Sequence, residues 1–263
     1  MIKLLEFILL GIVQGFTEPL PISSSGHLVI FQELLHINLP GLTFEAFINF
    51  GSTVAIILFF WTDIKRLFFG GIRYLFSGLR ENTEESNYLW KIFFATLPLV
   101  FLTVILKVMD IEFEENIKTV GYALFITALA LLFICKKQGY KEIKYMSLST
   151  AFLIGIGQMI ALMPGISRSG MTIVFAIALG LTAKEAFNFS FIMFIPASIG
   201  ALFVSVYDII STGYFDINFL ISAIFAFIFT LIGLVVLKRT MIQSKLIYFS
   251  IYCFIVSILC IVL

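Results

Sequence analysis

Gln14, Glu18, Ser23, Ser24, Ser25 and His27 crowd into one short stretch, QGFTEPLPISSSGH. Gln14 and Glu18 are four apart and share a helical face, while Ser24 and His27 are three apart on the element that follows. A carboxylate, an imidazole and a hydroxyl side by side are the parts of a hydrolytic site: base or metal ligand, proton shuttle or nucleophile, and attacking hydroxyl. A second stretch, PGISRSGMT at 164 to 172, sets Arg168 among Ser167, Ser169 and Thr172. Its planar guanidinium matches phosphate oxygens two at a time and keeps its charge. In each stretch a proline-containing turn leads into an apolar helix, with Ser23 or Ser24 as the N-cap of one and Ser167 or Ser169 of the other. Two converging helix N-termini make an anion site, and with Arg168 the favoured ligand is a phosphate or diphosphate. Plainer roles compete: hydroxyls cap helices more often than they attack, and Gln14 and Gln158 serve equally well as hydrogen bonds between helices. Glu45 reads as an interfacial carboxylate. Cys135, Cys253 and Cys260 lie in apolar runs without metal-ligand spacing and read as packing residues.

The elements that carry these residues are built for lipid. Of 263 residues 60% are hydrophobic and 13% charged, whereas a soluble domain keeps roughly 25% charged. A net charge of +1 argues against nucleic acid as a partner. No small-residue cleavage site follows the first apolar run, so no removable signal peptide is expected. Stretches without Asp, Glu, Lys or Arg cover 46 to 62, 92 to 106, 119 to 135, 145 to 167, 169 to 183, 186 to 207, 217 to 237 and 246 to 263. Several approach the roughly 20 residues that span a bilayer. Lys65, Arg66, Arg73, Arg80 and Lys91 fill one loop, with 77 to 90 read as its polar part. Lys136, Lys137, Lys141 and Lys144 fill a second, and Lys238, Arg239 and Lys245 a third. The positive-inside rule places all three in the cytoplasm, and the acidic segments 107 to 118 and 208 to 216 outside. Crossing parity then makes 1 to 35 and 145 to 183 re-entrant hairpins from opposite faces, each followed by three crossings. Laying 155 to 174 over 11 to 30 matches Gly11, Ile12, Gln14, Ile22, Ser23, Ser25 and Gly26 with identical residues. The expected fold is therefore all-α: six transmembrane helices and two re-entrant hairpins in an inverted repeat, 1 to 135 and 145 to 263, as one membrane domain. Interrupted segments at matching places in two halves point to a midplane site.

At these residues the chain resembles the bacterial undecaprenyl-diphosphate phosphatase family, known for bacitracin resistance. The first family signature is matched by Q14-G-F-T-E18-P-L-P-I-S-S24-S-G-H27 and the second by P164-G-I-S167-R168-S169-G-M-T172. FEAFINFGSTVAIILFFW (44 to 61) and FSFIMFIPASIGA (189 to 201) are similar to family segments as well. The resemblance implies hydrolysis of undecaprenyl diphosphate to the monophosphate at the outer face of the bacterial plasma membrane. It implies Glu18, His27, Ser24 and Arg168 as catalytic, with Ser24 or His27 attacking. Gln14, Ser23, Ser25, Ser167, Ser169 and Thr172 are implied as substrate-binding, and Glu18 as ligand of a divalent Mg or Ca ion. Gln14 stands where some members carry Glu, which leaves one carboxylate in place of a pair. Pro19 stands where an aromatic is common, and Ser149 and Thr150 where an acid is often found. The expected partners are the polyprenyl diphosphate and membrane lipid, with homodimerisation open. A flippase for the monophosphate is the alternative, because broken helices in inverted repeats are also transporter architecture. Arg168→Ala should abolish most phosphate release from polyprenyl diphosphate, since removing a buried phosphate partner costs ~2 to 5 kcal/mol; Arg168→Lys should restore only part of it.

Overall fold

The computed structural model describes residues 2–37, 41–79, 83–111, 113–212, 216–242 and 245–263. Among these it is all-helical, with one isolated bridge between Lys141 and Leu181. The first helices are α1 (Ile2–Thr17), α2 (Ser24–Leu34), α3 (Gly41–Phe59), α4 (Trp61–Phe76), α5 (Glu84–Val108) and α6 (Ile117–Ile134). A 3-10 turn at Ile143–Tyr145 leads into α7 (Leu148–Ile160), α8 (Arg168–Ala178), α9 (Ala183–Thr212), α10 (Ile217–Ile242) and α11 (Ile247–Val262). Glu84–Val108, Ile117–Ile134, Ala183–Phe203 and Ile217–Met241 are long and apolar enough to cross a membrane, and α3 with α4 forms a bent fifth candidate. The chain is a multi-pass membrane protein.

The structure departs from the sequence reading in five places. The run 46 to 62 does not continue straight: α3 bends by 82° into α4 at Phe60. Asp63, Lys65, Arg66 and Arg73 lie on α4, a helix where the charge count alone suggested a loop. The segment 84 to 90, read as part of a polar loop, forms the first turns of α5. Thr83 and Ser86 make a reciprocal capping box there, and Glu84 and Glu85 sit at the positive end of the helix dipole. Lys91, counted as a loop cation, is buried on α5, and its Nζ donates to the carbonyls of Ile143 (2.7 Å) and Lys144 (3.1 Å). Of the acidic segment 208 to 216, residues through Thr212 continue α9, and 213 to 215, like Arg80 and Glu112, lie outside the described residues.

Two polar clusters fix the directions of the helices. Lys91 ties the start of α5 to the turn ahead of α7, and Glu185 near the start of α9 shares a cavity with Lys91 and Lys144. Lys3 at the start of α1 pairs with Asp216 just before α10, at 3.1 Å. Helix α9, 30 residues and so about 45 Å long, runs from the first cluster toward the second. Consequently α1 and α7 begin at different ends, and the irregular segments that terminate them meet between.

Helix α1 packs along α10, and α7 along α5. Both contacts depend on glycine. A Cβ on Gly11 would stand 2.4 Å from the Ser222 carbonyl oxygen, and one on Gly155 would stand 2.1 Å from that of Ala95. These two glycines are counterparts in the sequence overlay. Because the obstacle is helix backbone, Gly155→Ala should push α5 and α7 apart. We expect a loss of ~1 to 3 kcal/mol, read as a lowered thermal unfolding midpoint of the detergent-solubilised chain.

Candidate functional site

Helix α1 ends at Thr17 and α7 at Ile160, and in each case a proline-bearing turn precedes the next helix. Ser23 caps α2 by accepting from the Gly26 amide at 3.2 Å, and Ser167 caps α8 by accepting from the Gly170 amide at 3.1 Å. The hydroxyl of each cap lies 3.3 Å from the hydroxyl two residues on, Ser25 and Ser169 respectively. The two turns touch: the Gly165 amide donates to Ser25 Oγ at 3.4 Å, and Ser169 Oγ donates to the Leu20 carbonyl at 3.1 Å. Gly165 adopts a φ of 87°, and a Cβ there would lie 2.8 Å from that of Ala123, so glycine is required by both conformation and space.

Between the turns lies a cavity of about 70 Å³, room for several waters. From the first turn and its helices it is lined by Gln14, Glu18, Ser23, Ser24 and Ser25, and from the second by Ser167, Arg168 and Ser169. Gln14 Nε2 donates to Glu18 Oε2 at 2.8 Å and to Asn49 Oδ1 at 3.2 Å. Ser24 Oγ donates to the same Glu18 oxygen. The Arg168 guanidinium lies over the Phe194 ring, 4.7 Å from its centroid, which restricts its swing. A carboxylate bonded to a hydroxyl, facing a guanidinium and two helix N-termini, can take a proton from that hydroxyl while an anion is held opposite.

Two of the expected site residues are not on this wall. Thr172 donates to the Arg168 carbonyl at 2.9 Å and borders a smaller void of about 10 Å³, which Glu18, Arg168, Ser169 and Ser190 also line. His27 is buried with both ring nitrogens engaged: Nδ1 lies 2.7 Å from the Ser23 carbonyl and Nε2 2.7 Å from the Tyr252 hydroxyl. Conversely, Glu45 and Asn49 of α3 do line the cavity. Glu45 thus brings a second carboxylate into the cavity, from a helix that the interfacial reading left outside it. Asn49, a lone amide in an apolar helix, carried a usable signal, whereas Tyr252 is indistinguishable in sequence from other aromatic residues of α11.

The model of the bacitracin resistance protein BacA family matches residues 7–259. The chain belongs to the BacA family. Among BacA relatives, undecaprenyl-diphosphatase 1 of Bacillus licheniformis is 39% identical over 259 residues, covering 97% of this chain and 96% of that protein. A protein of the same name from Halalkalibacterium halodurans is 37% identical, covering 97% and 94%. Undecaprenyl-diphosphatase of Oceanobacillus iheyensis is 34% identical, covering 97% and 95%.

Because Gln14 donates a hydrogen bond to the Glu18 carboxylate without itself carrying charge, Gln14→Ala should lower turnover by about three- to tenfold, the loss of that hydrogen bond. Glu18→Gln should cost far more. Steady-state phosphate release from the two variants checks the ranking, and equal losses would contradict it.

Proposed function

We propose that this BacA-family chain hydrolyses undecaprenyl diphosphate to undecaprenyl phosphate and inorganic phosphate at the cavity between the two turns. The observation that carries the reading is the hydrogen bond from Ser24 to Glu18, set opposite Arg168. The names of the relatives supply the substrate. Arg168 and the N-termini of α2 and α8 bind the diphosphate. Ser24 Oγ attacks the terminal phosphorus while its proton passes to Glu18. The bond to the bridging oxygen breaks, and the lipid monophosphate leaves with the proton that Glu18 had taken, so that Glu18 is again a carboxylate. Water, deprotonated by Glu18, then attacks the phosphoserine, and inorganic phosphate departs as Ser24 regains its proton. Ser23, Ser25, Ser167 and Ser169 orient the phosphates, while Thr172 supports Arg168 from behind.

A divalent cation fits the cavity. Among its described lining residues Arg168 is the one cation, against the carboxylates of Glu18 and Glu45, so a bound diphosphate would leave a large negative excess. Carboxylate, amide and hydroxyl oxygens suit Mg or Ca, with Glu18 as the protein ligand. Among the described residues no group of three or more His, Cys, Asp or Glu lies together. When bound, the divalent ion neutralises charge on the phosphate oxygens.

The membrane arrangement that serves this reading has α1–α2 and α7–α8 as re-entrant pairs of an inverted repeat. The remaining long helices cross, and the cavity is reached from the outer face of the bacterial plasma membrane. The matched caps at Ser23 and Ser167, the paired glycines Gly11 and Gly155, and the opposed starts of α1 and α7 support it.

Purified chain given polyprenyl diphosphate should release inorganic phosphate. Chelation should stop release, and added Mg or Ca should restore it. Lipid translocation across vesicles without phosphate release would instead favour the flippase.

A further inference from the structure

Ser23 is the most constrained residue of the first turn. It caps α2 with φ 68° and ψ 102°, a region L-residues seldom occupy and hold only where their surroundings impose it. Its counterpart Ser167 makes the same cap with an ordinary φ of −72° and ψ of 115°. The unusual cap therefore does not follow from capping itself. In the overlay the first turn differs from the second in having Pro21 where the second takes its positive φ at Gly165, and in having His27 where the second has Met171.

His27 grips Ser23. Nδ1 faces the Ser23 carbonyl at 2.7 Å, and a carbonyl can only accept, so Nδ1 carries the proton. Nε2 then accepts from the Tyr252 hydroxyl at 2.7 Å. The two rings lie nearly parallel, 9° apart, with centroids separated by 5.6 Å. Tyr252 comes from α11, so it anchors the imidazole to a helix outside both turns. Ser24, the next residue after Ser23, is the one whose hydroxyl meets Glu18.

We infer that Tyr252 and His27 form a relay of hydrogen bonds that holds Ser23 in its left-handed conformation and so aims Ser24 at Glu18. This inference rests on the hydrolase reading and deepens it: His27 and Tyr252 are positioning residues, and neither attacks phosphorus nor carries the transferred proton.

Amide replacements separate this role from chemistry at the imidazole. Asparagine places an N–H near the position of Nδ1, whereas glutamine places one near Nε2. With polyprenyl diphosphate as substrate, His27→Ala should lose about a hundredfold in kcat, the cost of a misplaced reacting group. His27→Asn should recover to within about tenfold of the unaltered chain, and His27→Gln should stay near the alanine level. Tyr252→Phe should lower kcat by about three- to tenfold, with KM unchanged.

A second readout is independent of turnover. The chain has two histidines, so nitrogen NMR of histidine-labelled protein with His36→Gln isolates His27. Its ring should show the Nδ1–H tautomer, and Tyr252→Phe should shift Nε2. A folded His27→Asn as inactive as His27→Ala, an unchanged Tyr252→Phe, or the opposite tautomer would overturn the relay. Failure of the unaltered chain to release phosphate would overturn the hydrolase reading instead, and the NMR result would still decide whether the relay exists.

Discussion

A helix that stops within a membrane protein exposes amides and carbonyls that lipid cannot satisfy, at several kcal/mol each. Here two helices stop, and each turn supplies part of what the other lacks. Ser25 accepts from Gly165, Ser169 donates to Leu20, and Thr127 of α6 accepts from the Ser167 amide at 3.2 Å. The fit tolerates little bulk: a Cβ on Gly26 would lie 3.2 Å from the Gly165 Cα. The polar capacity left after this mutual pairing faces the cavity. The same requirement that lets the chain break its helices in an apolar setting thus concentrates hydroxyls and helix N-termini at one place, and the cavity chemistry follows from it.

The two turns share a scaffold but divide the chemistry. Both have a serine cap, a second hydroxyl two residues on and a glycine accepted by the cap. At the residue between the hydroxyls, however, one carries Ser24 and the other Arg168. Glu18 has Leu162 as its counterpart in the overlay. The side-chain amide of the buried Gln158, counterpart of Gln14, has no hydrogen-bond partner among the described residues. A guanidinium and a carboxylate on the same turn would neutralise each other at close range. Placing them on different turns keeps each directed at a separate part of a bound anion.

What the sequence disclosed was local, and what it concealed depended on distant contacts. The caps at Ser23 and Ser167, the breaks at both proline turns and the apolar spans are written in neighbouring residues, and the structure carries them. The 82° bend at Phe60 is not. Phe60 packs against Phe187 and Phe191 of α9, so the turn depends on residues far along the chain. Lys91 counted as a loop cation because charge statistics do not know that two carbonyls from the turn before α7 wait for it. The setting of His27 is concealed for a related reason: it stands beside Glu18 and three serines in sequence, whereas α2 turns its ring toward Tyr252, on a helix near the far end of the sequence.

The arrangement also bears on why an amide serves at position 14. Gln14 donates to Glu18 and to Asn49, so it both fixes the carboxylate and connects α1 to α3. A carboxylate at 14 could accept from Asn49 but would face Glu18 with like charge, in surroundings that screen poorly. The second acidic group of this cavity is Glu45, brought in on α3 and one helical turn from Asn49. The two acids are thereby held on separate elements, Glu18 at the end of α1 and Glu45 on α3, and the spacing between the carboxylates is set by the packing of α3 against α1. Charge balance in this chain is a tertiary property, and a motif read along one turn alone counts the acids incorrectly.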